Sequence, residues 1–367
     1  MGTQALYQQR LQRILTAIAL GKPDRVPVVP AIIGFAAQQA GVTMAEFLST
    51  PERTHEFMFQ AYTSLGEIDG VHETIFTPAV LSALWLSRVK VPGVELKQNE
   101  LWQVCEEELM TVEDYDTIIN AGLGPFLGEY FTNRLDNLGA KLAAFGPLAP
   151  GAEQRFKEAG LVSLQGNAFS IPFEMFCGGR SMAKFSRDLF KMPDRVQAAM
   201  DVAMEGMLAM AEQQMAATRP FAVWVGGWRS ASEFLSPRLW ERFVWPYYKR
   251  MVEKVVEAGV VPLLHLDSNW ERDLPFFLEL PKAKCIFATD GSTDIFKIKE
   301  VLGDHMCIQG DVGASLLALG SPDDVYAHCR RMIQEIGPSG FILSSGCDIP
   351  PNAKFENVKS MVAAAQG

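Results

Sequence analysis

One regularity limits the folds open to this chain more than any other. Across its second half, short apolar runs that end in polar or Gly residues alternate with stretches of helical periodicity. The runs are 221–227 (FAVWVGG), 261–267 (VPLLHLD), 284–291 (KCIFATDG), 306–312 (MCIQGDV) and 340–347 (GFILSSGC). Near-continuous apolar strands separated by amphipathic helices imply a parallel sheet covered on both faces. Ser236-Pro237 opens one intervening helix, LWERFVWPYYKRMVEKVVEAG, with Gly259 as its stop. Ser321-Pro322 opens another that ends at Gly337. The first half offers three further strands, at 26–30, 69–75 and 161–169. Eight is the number that closes a (β/α)8 TIM barrel. The expected fold is therefore an α/β barrel in one domain, residues 1–367, with an N-terminal amphipathic helix. Residues from about 76 to 160 are too many for one crossover and are read as an insertion that forms a lid. CGGR (177–180) reads as a tight turn.

Composition narrows the function. The 367 residues carry a formal net charge of −10, with no Lys/Arg stripe, which argues against nucleic acid as a partner. No apolar stretch approaches the roughly 18 residues needed to cross a bilayer, and the N-terminus lacks a secretory layout. The six Cys are scattered, so reduced thiols in a cytoplasmic protein are expected rather than a disulfide framework.

Barrel enzymes place their reactive groups at the C-terminal ends of the strands. Those ends carry Trp228 and Arg229, His265 and Asp267, Asp290, Gln309 and Asp311, and finally Cys347. His265 and Asp267 are two apart on a strand and share a face. With Cys347 they form an imidazole, carboxylate and thiolate set. Three protein ligands and an open position are typical of catalytic zinc. Glu279, Cys307 and Cys347 form a second, lower-ranked set, because Cys307 lies inside its strand. Trp224, Trp228 and Arg229, with Trp85 and Trp102 of the insertion, suggest an aromatic mouth. Trp228, Arg229, Asp290 and Gln309 are the expected substrate-binding residues, and Asp290, Gln309 or Asp311 could orient a metal ligand.

From Arg10 onward the chain resembles the uroporphyrinogen decarboxylase superfamily, and within it the corrinoid-dependent methyltransferases. The resemblance rests on RILTAIALGKPDRVPVVP, FLSPRLWERFVWPYYKRMVEKVVEAG, VPLLHLDSN, MCIQGDV and FILSSGCDIPPNAKFENVKSMVAA. Where the decarboxylases carry an Arg-rich motif after the first strand, this chain reads AIIGFAAQQAG, with no cation for an acidic tetrapyrrole. The methyltransferases carry an H-x-C pair and a later Cys that bind zinc. His265 and Cys347 match, whereas Asp267 stands at the middle Cys. A carboxylate in place of a thiolate makes a harder, more Lewis-acidic ion, suited to polarising an oxygen. The resemblance thus implies a methyltransferase that takes methyl from a donor, with a methoxylated aromatic as first choice. The acceptor is the Co(I) corrinoid of a separate corrinoid protein. The alternatives are transfer from methylcorrinoid to coenzyme M or tetrahydrofolate, or a non-catalytic docking barrel. The chain has no D-x-H-x-x-G segment to hold a corrinoid itself and no G-x-G-x-x-G for a dinucleotide. A homodimer is compatible with the sequence without being implied by it.

Overall fold

A computed structural model describes residues 2–367. The strands that form the barrel wall are β1 (Gly70–Val71), β2 (Val162–Ser163), β3 (Ala168–Phe169) and β4 (Ala222–Gly227). They continue as β5 (Val261–Leu266), β6 (Ile286–Thr289), β7 (Cys307–Val312) and β8 (Phe341–Ser345). A regular parallel ladder runs β3-β4-β5-β6-β7-β8. Beyond it the wall is irregular. Residues 26–29 form only a bridge, Val28 to Leu343 of β8, and Val28 O accepts from the Asp69 amide. β1 then pairs with β2. The single run expected over 161–169 is two short strands, split where Gly166 N bonds Ala222 O. A side chain at Gly166 would collide with Pro220, which explains both the glycine and the break. Hydrogen bonds thus pass round a TIM-type α/β barrel whose regular part covers six strands.

Helix ends follow their capping residues. The Ser236 hydroxyl accepts from Leu239 N, and Ser321 forms a reciprocal cap with Asp324. The long helix expected after Ser236 is instead two, Pro237–Phe243 and Trp245–Glu257. Pro246, which lacks an N–H, starts the second. No described helix is long and apolar enough to cross a membrane.

The helix Thr3–Ile18 closes the bottom of the barrel. Its Ile14, Ala17 and Ile18 pack with Val29, Leu263, Ile286, Cys307 and Ile342 from the strands. Beside this plug lies a buried charge network. Asp69, fully buried, accepts from Arg13, from Arg25 at 2.6 and 3.1 Å, and from the Val28 amide at 2.8 Å. Arg13 also forks onto Asp24 with two 2.6 Å bonds, which holds the Asp24 carboxyl down at about 2. Removing one member of a buried ionic group strands the others in low dielectric. Asp69→Ala is therefore expected to lower unfolding stability by ~3–5 kcal/mol, measured by urea denaturation. A loss below ~1 kcal/mol would show that the two arginines find water instead.

Candidate metal centre

His265 ends β5, and the strand's two-residue period sends Asp267 to the same side. Cys347 follows β8, three strands away in the sheet order. The geometry nonetheless gathers the three. Their ligand atoms all lie within 4.8 Å of one another, and His265 Nε2 is 3.2 Å from Asp267 Oδ1. Gly346 permits this approach, because a Cβ there would sit 2.7 Å from the Asp290 carbonyl oxygen.

The electrostatics suit a cation. Burial would make the His265 ring less basic, but the Asp267 carboxylate, then Cys347, outweigh it and hold its pKa well above the ordinary value. Cys347 is accessible from the mouth, yet the surrounding protein raises its thiol while His265 pulls the other way. An ion bound by the same three groups would compete with the protons on His265 and the Cys347 thiol, releasing them as it bound. The span of the donors is close to that set by zinc bonds of ~2.0–2.3 Å. Imidazole, carboxylate and thiolate are all zinc donors, so the residues present fit the ion.

The alternative set is not assembled. Glu279 is on the outer surface, bonded to Lys249 at 2.8 Å and Trp245 at 3.3 Å. Cys307 is buried beside the basal plug, where burial raises its thiol. Among the described residues, only His265, Asp267 and Cys347 form such a group.

A cavity of about 260 Å³ lies over the three. Its walls are largely apolar, lined by Phe76, Leu84, Trp85 and Phe145 from the 76–160 segment and by Trp224 from β4. The Trp224 ring centre lies 6.1 Å from that of His265, and the ring occupies the space over Gly226, where a Cβ would sit 1.7 Å from it. The 76–160 segment therefore supplies one wall. Three buried polar atoms without a hydrogen-bond partner belong to residues lining this cavity: Glu73 Oε2, Gln165 Oε1 and His265 Nδ1. Burial lifts the Glu73 carboxyl to about 7, opposed by its own backbone and by His265. Asp348 is also lifted well above its usual range by burial, although the Gly34 and Ile33 amides donate to it.

The four residues expected to bind substrate lie outside the cavity lining. Arg229 is buried, donating to Cys177 O at 3.3 Å and pairing with Glu106 at 2.9 Å, so its charge is spent tying the 76–160 segment to the barrel. Trp228 packs edge-on against Trp85, ring centres 5.5 Å apart, and beneath Arg229. Asp290 accepts from Ser268 N and from Ser292, one residue beyond Asp267, and thus shapes that turn. Gln309 donates to the His72 ring and to Val29 O, one step behind the wall. Asp311 faces Asp290 and Asp294 in a separate concavity, and burial with those charges raises its carboxyl to about 7. CGGR is not a turn. It ends the helix Pro172–Arg180, where Gly178 lets the Trp85 backbone pack against it; a Cβ would lie 1.9 Å from Trp85 O.

Glu174, at the start of that helix, gave no signal in the sequence. Its buried carboxylate accepts from Trp228 N at 2.7 Å, Arg229 N at 3.2 Å, and Ser230 N and Oγ at 2.9 and 2.6 Å. Trp85 Nε1 donates to it at 3.1 Å. One side chain thus fixes the loop after β4 and a cavity wall together.

Comparison with known proteins sets this site in context. The family profile described as uroporphyrinogen decarboxylase (URO-D) matches residues 147–367. Uroporphyrinogen decarboxylase of Syntrophotalea carbinolica is 27% identical over 202 residues, 52% of this chain and 56% of that protein. That of Geobacter sulfurreducens is 28% identical over 217 residues, 56% of this chain and 60% of the relative. The alignments thus span less than two thirds of either relative. A methyltransferase from Methanosarcina mazei has a similar structure over 96% of this chain and 97% of its own, with TM-score 0.73 and 17% identity.

Glu174→Ala should free the amides of Trp228, Arg229 and Ser230 and lower stability by ~1–3 kcal/mol. Hydrogen exchange read by mass spectrometry should quicken in 226–231 and around Trp85 and remain unchanged in β7. Uniform quickening across the chain would argue against a local clamp.

Proposed function

The chain belongs to the uroporphyrinogen decarboxylase family, and from that premise we propose that it is a zinc-dependent methyltransferase. In this reading it takes methyl from a methoxylated aromatic and passes it to the Co(I) corrinoid of a separate carrier protein. The observation that carries the reading is the His265, Asp267 and Cys347 triad beneath an apolar, aromatic-walled cavity.

The family's decarboxylase activity fits this cavity poorly. No Lys or Arg is among its lining residues, so the carboxylates of a porphyrinogen would meet Glu73, Glu153, Asp267 and Asp348 instead. Its volume, about 260 Å³, lies just under the ~300–1,000 Å³ of sites for drug-sized ligands and suits a single ring rather than a macrocycle.

The chain's own residues have distinct tasks here. His265, Asp267 and Cys347 would hold zinc, with Asp290 fixing the turn that carries Asp267. Bound zinc supplies Lewis acidity, which stabilises the negative oxygen left when an aryl ether loses its methyl group. Trp224, Trp85 and Phe76 offer flat apolar surface that orients an aromatic ring and excludes water. The methyl carbon would exchange its bond to the aryl oxygen for one supplied by the carrier's corrinoid, and the aryl oxygen, leaving with the electron pair of the broken bond, would take a proton from solvent to become a phenol.

Metal analysis with turnover tests this reading. Protein purified with zinc should hold about one ion per chain, given one three-donor site. Cys347→Ala and His265→Ala should each lose both the ion and methyl transfer from a methoxyarene to Co(I) carrier. Glu279→Ala should keep both. Full turnover in a zinc-free preparation would falsify the proposal. Methyl transfer only from methyl-Co(III) to a thiol or to tetrahydrofolate would place the chain on the delivering side of the pathway.

A further inference from the structure

One hydrogen-bond donor at the cavity wall has no partner inside the protein. His72 follows β1, is buried, and lines the same space as the triad. Its ring stands nearly at right angles to that of His265, the centres 6.5 Å apart. Gln309 fixes its tautomer. The Gln309 amide nitrogen meets His72 Nε2 and also donates to Val29 O at 3.4 Å. The opposite amide orientation would set the Gln309 oxygen against the Val29 carbonyl oxygen. An amide nitrogen only donates, so His72 Nε2 accepts and the ring's proton is on Nδ1. Burial, then the nearby His265, brings the ring's pKa down to about 3, which keeps it neutral. Unlike Glu73 Oε2 and Gln165 Oε1, which are sealed from solvent, His72 Nδ1 keeps accessible surface, and it makes no hydrogen bond within the protein. The open space beside the ring is the cavity. An N–H facing a largely apolar pocket is costly unless a bound molecule accepts from it.

We propose that His72 is a catalytic residue: its Nδ1–H donates a hydrogen bond to the ether oxygen of the methyl donor and holds that oxygen as it takes the electron pair of the broken carbon–oxygen bond. The proposal rests on the methyl ether reading above and deepens it. A donor already aimed at the place where charge develops stabilises the transition state more than the ground state. The proton stays on Nδ1, because a neutral imidazole is too weak an acid to surrender it, and the phenol takes its proton from solvent. Gln309 acts through His72 as a positioning residue, since its amide keeps the N–H on the cavity side of the ring.

Two methyl ethers that differ in leaving group test it, in single turnovers with saturating Co(I) carrier. Methoxybenzene releases a poor leaving oxygen, whereas that of 1-methoxy-4-nitrobenzene departs readily without help. In His72→Leu the methoxybenzene rate should fall ~100-fold or more, and the nitro ether should lose at least ~tenfold less. The variant should hold as much zinc as the wild type, and calorimetry should show phenol binding to it about tenfold more weakly. Gln309→Met, which leaves His72 in place but frees its tautomer, should show the same leaving-group bias to a smaller degree. That variant decides the matter if His72→Leu does not fold. A loss equal for both ethers, no loss, or the departure of zinc with His72 would overturn this proposal and leave the methyl ether reading intact. Failure of the wild type to turn over either ether would overturn both.

Discussion

Curvature of the sheet is the constraint on which the site depends. β5 and β8 are three strands apart in the ladder. In a flat sheet, at ~4.8 Å per strand, the ends that carry His265 and Cys347 would stand ~14 Å apart. Rolled into a barrel, the same strands bring the donor atoms within 4.8 Å. The closing contacts are modest: a bridge at Val28, the Asp69 amide on Val28 O, and two residues of β1–β2 pairing. Asp69 and its arginines stand at this seam. The least regular part of the wall therefore carries the heaviest electrostatic reinforcement.

A second level of organisation joins the 76–160 segment to the barrel. Glu174 holds the loop after β4 through three amides and a hydroxyl, and holds Trp85 through its indole. Arg229 reaches across to Glu106. Gly178 removes the side chain that would keep the Trp85 backbone away. Polar bonds at the back of the cavity thus position apolar surface at its front. A wall fixed in this way needs less ordering when a ring settles against it.

The sequence showed these levels unequally. The triad was legible because two-residue spacing fixes which side of a strand a residue faces, and strand ends in a barrel share one rim. The alternation of β4 to β8 with helices was legible for the same reason of period. Trp228 and Arg229 also stood at a strand end, yet the loop turns them away from the cavity, and a turn's direction depends on Glu174, which is 54 residues from Trp228. The run 69–75 reads as strand, but only Gly70–Val71 is one, and nothing local shows that Glu73 beyond it lines the cavity. The break at Gly166 and the helical setting of Gly178 depend on what packs against them, Pro220 and Trp85. Period and capping are local properties, whereas close approach is tertiary.

The helix Thr3–Ile18 plugs the far end with Ile14, Ala17 and Ile18. The barrel is therefore a cup rather than a tube. Whatever enters must depart by the same rim, and a large visitor seated there would bar the way for a small one below. Traffic through such a vessel, were a large partner to seat on the rim, would be last in, first out: the small molecule would have to be in place before the large one arrived, and could leave only after the large one had gone.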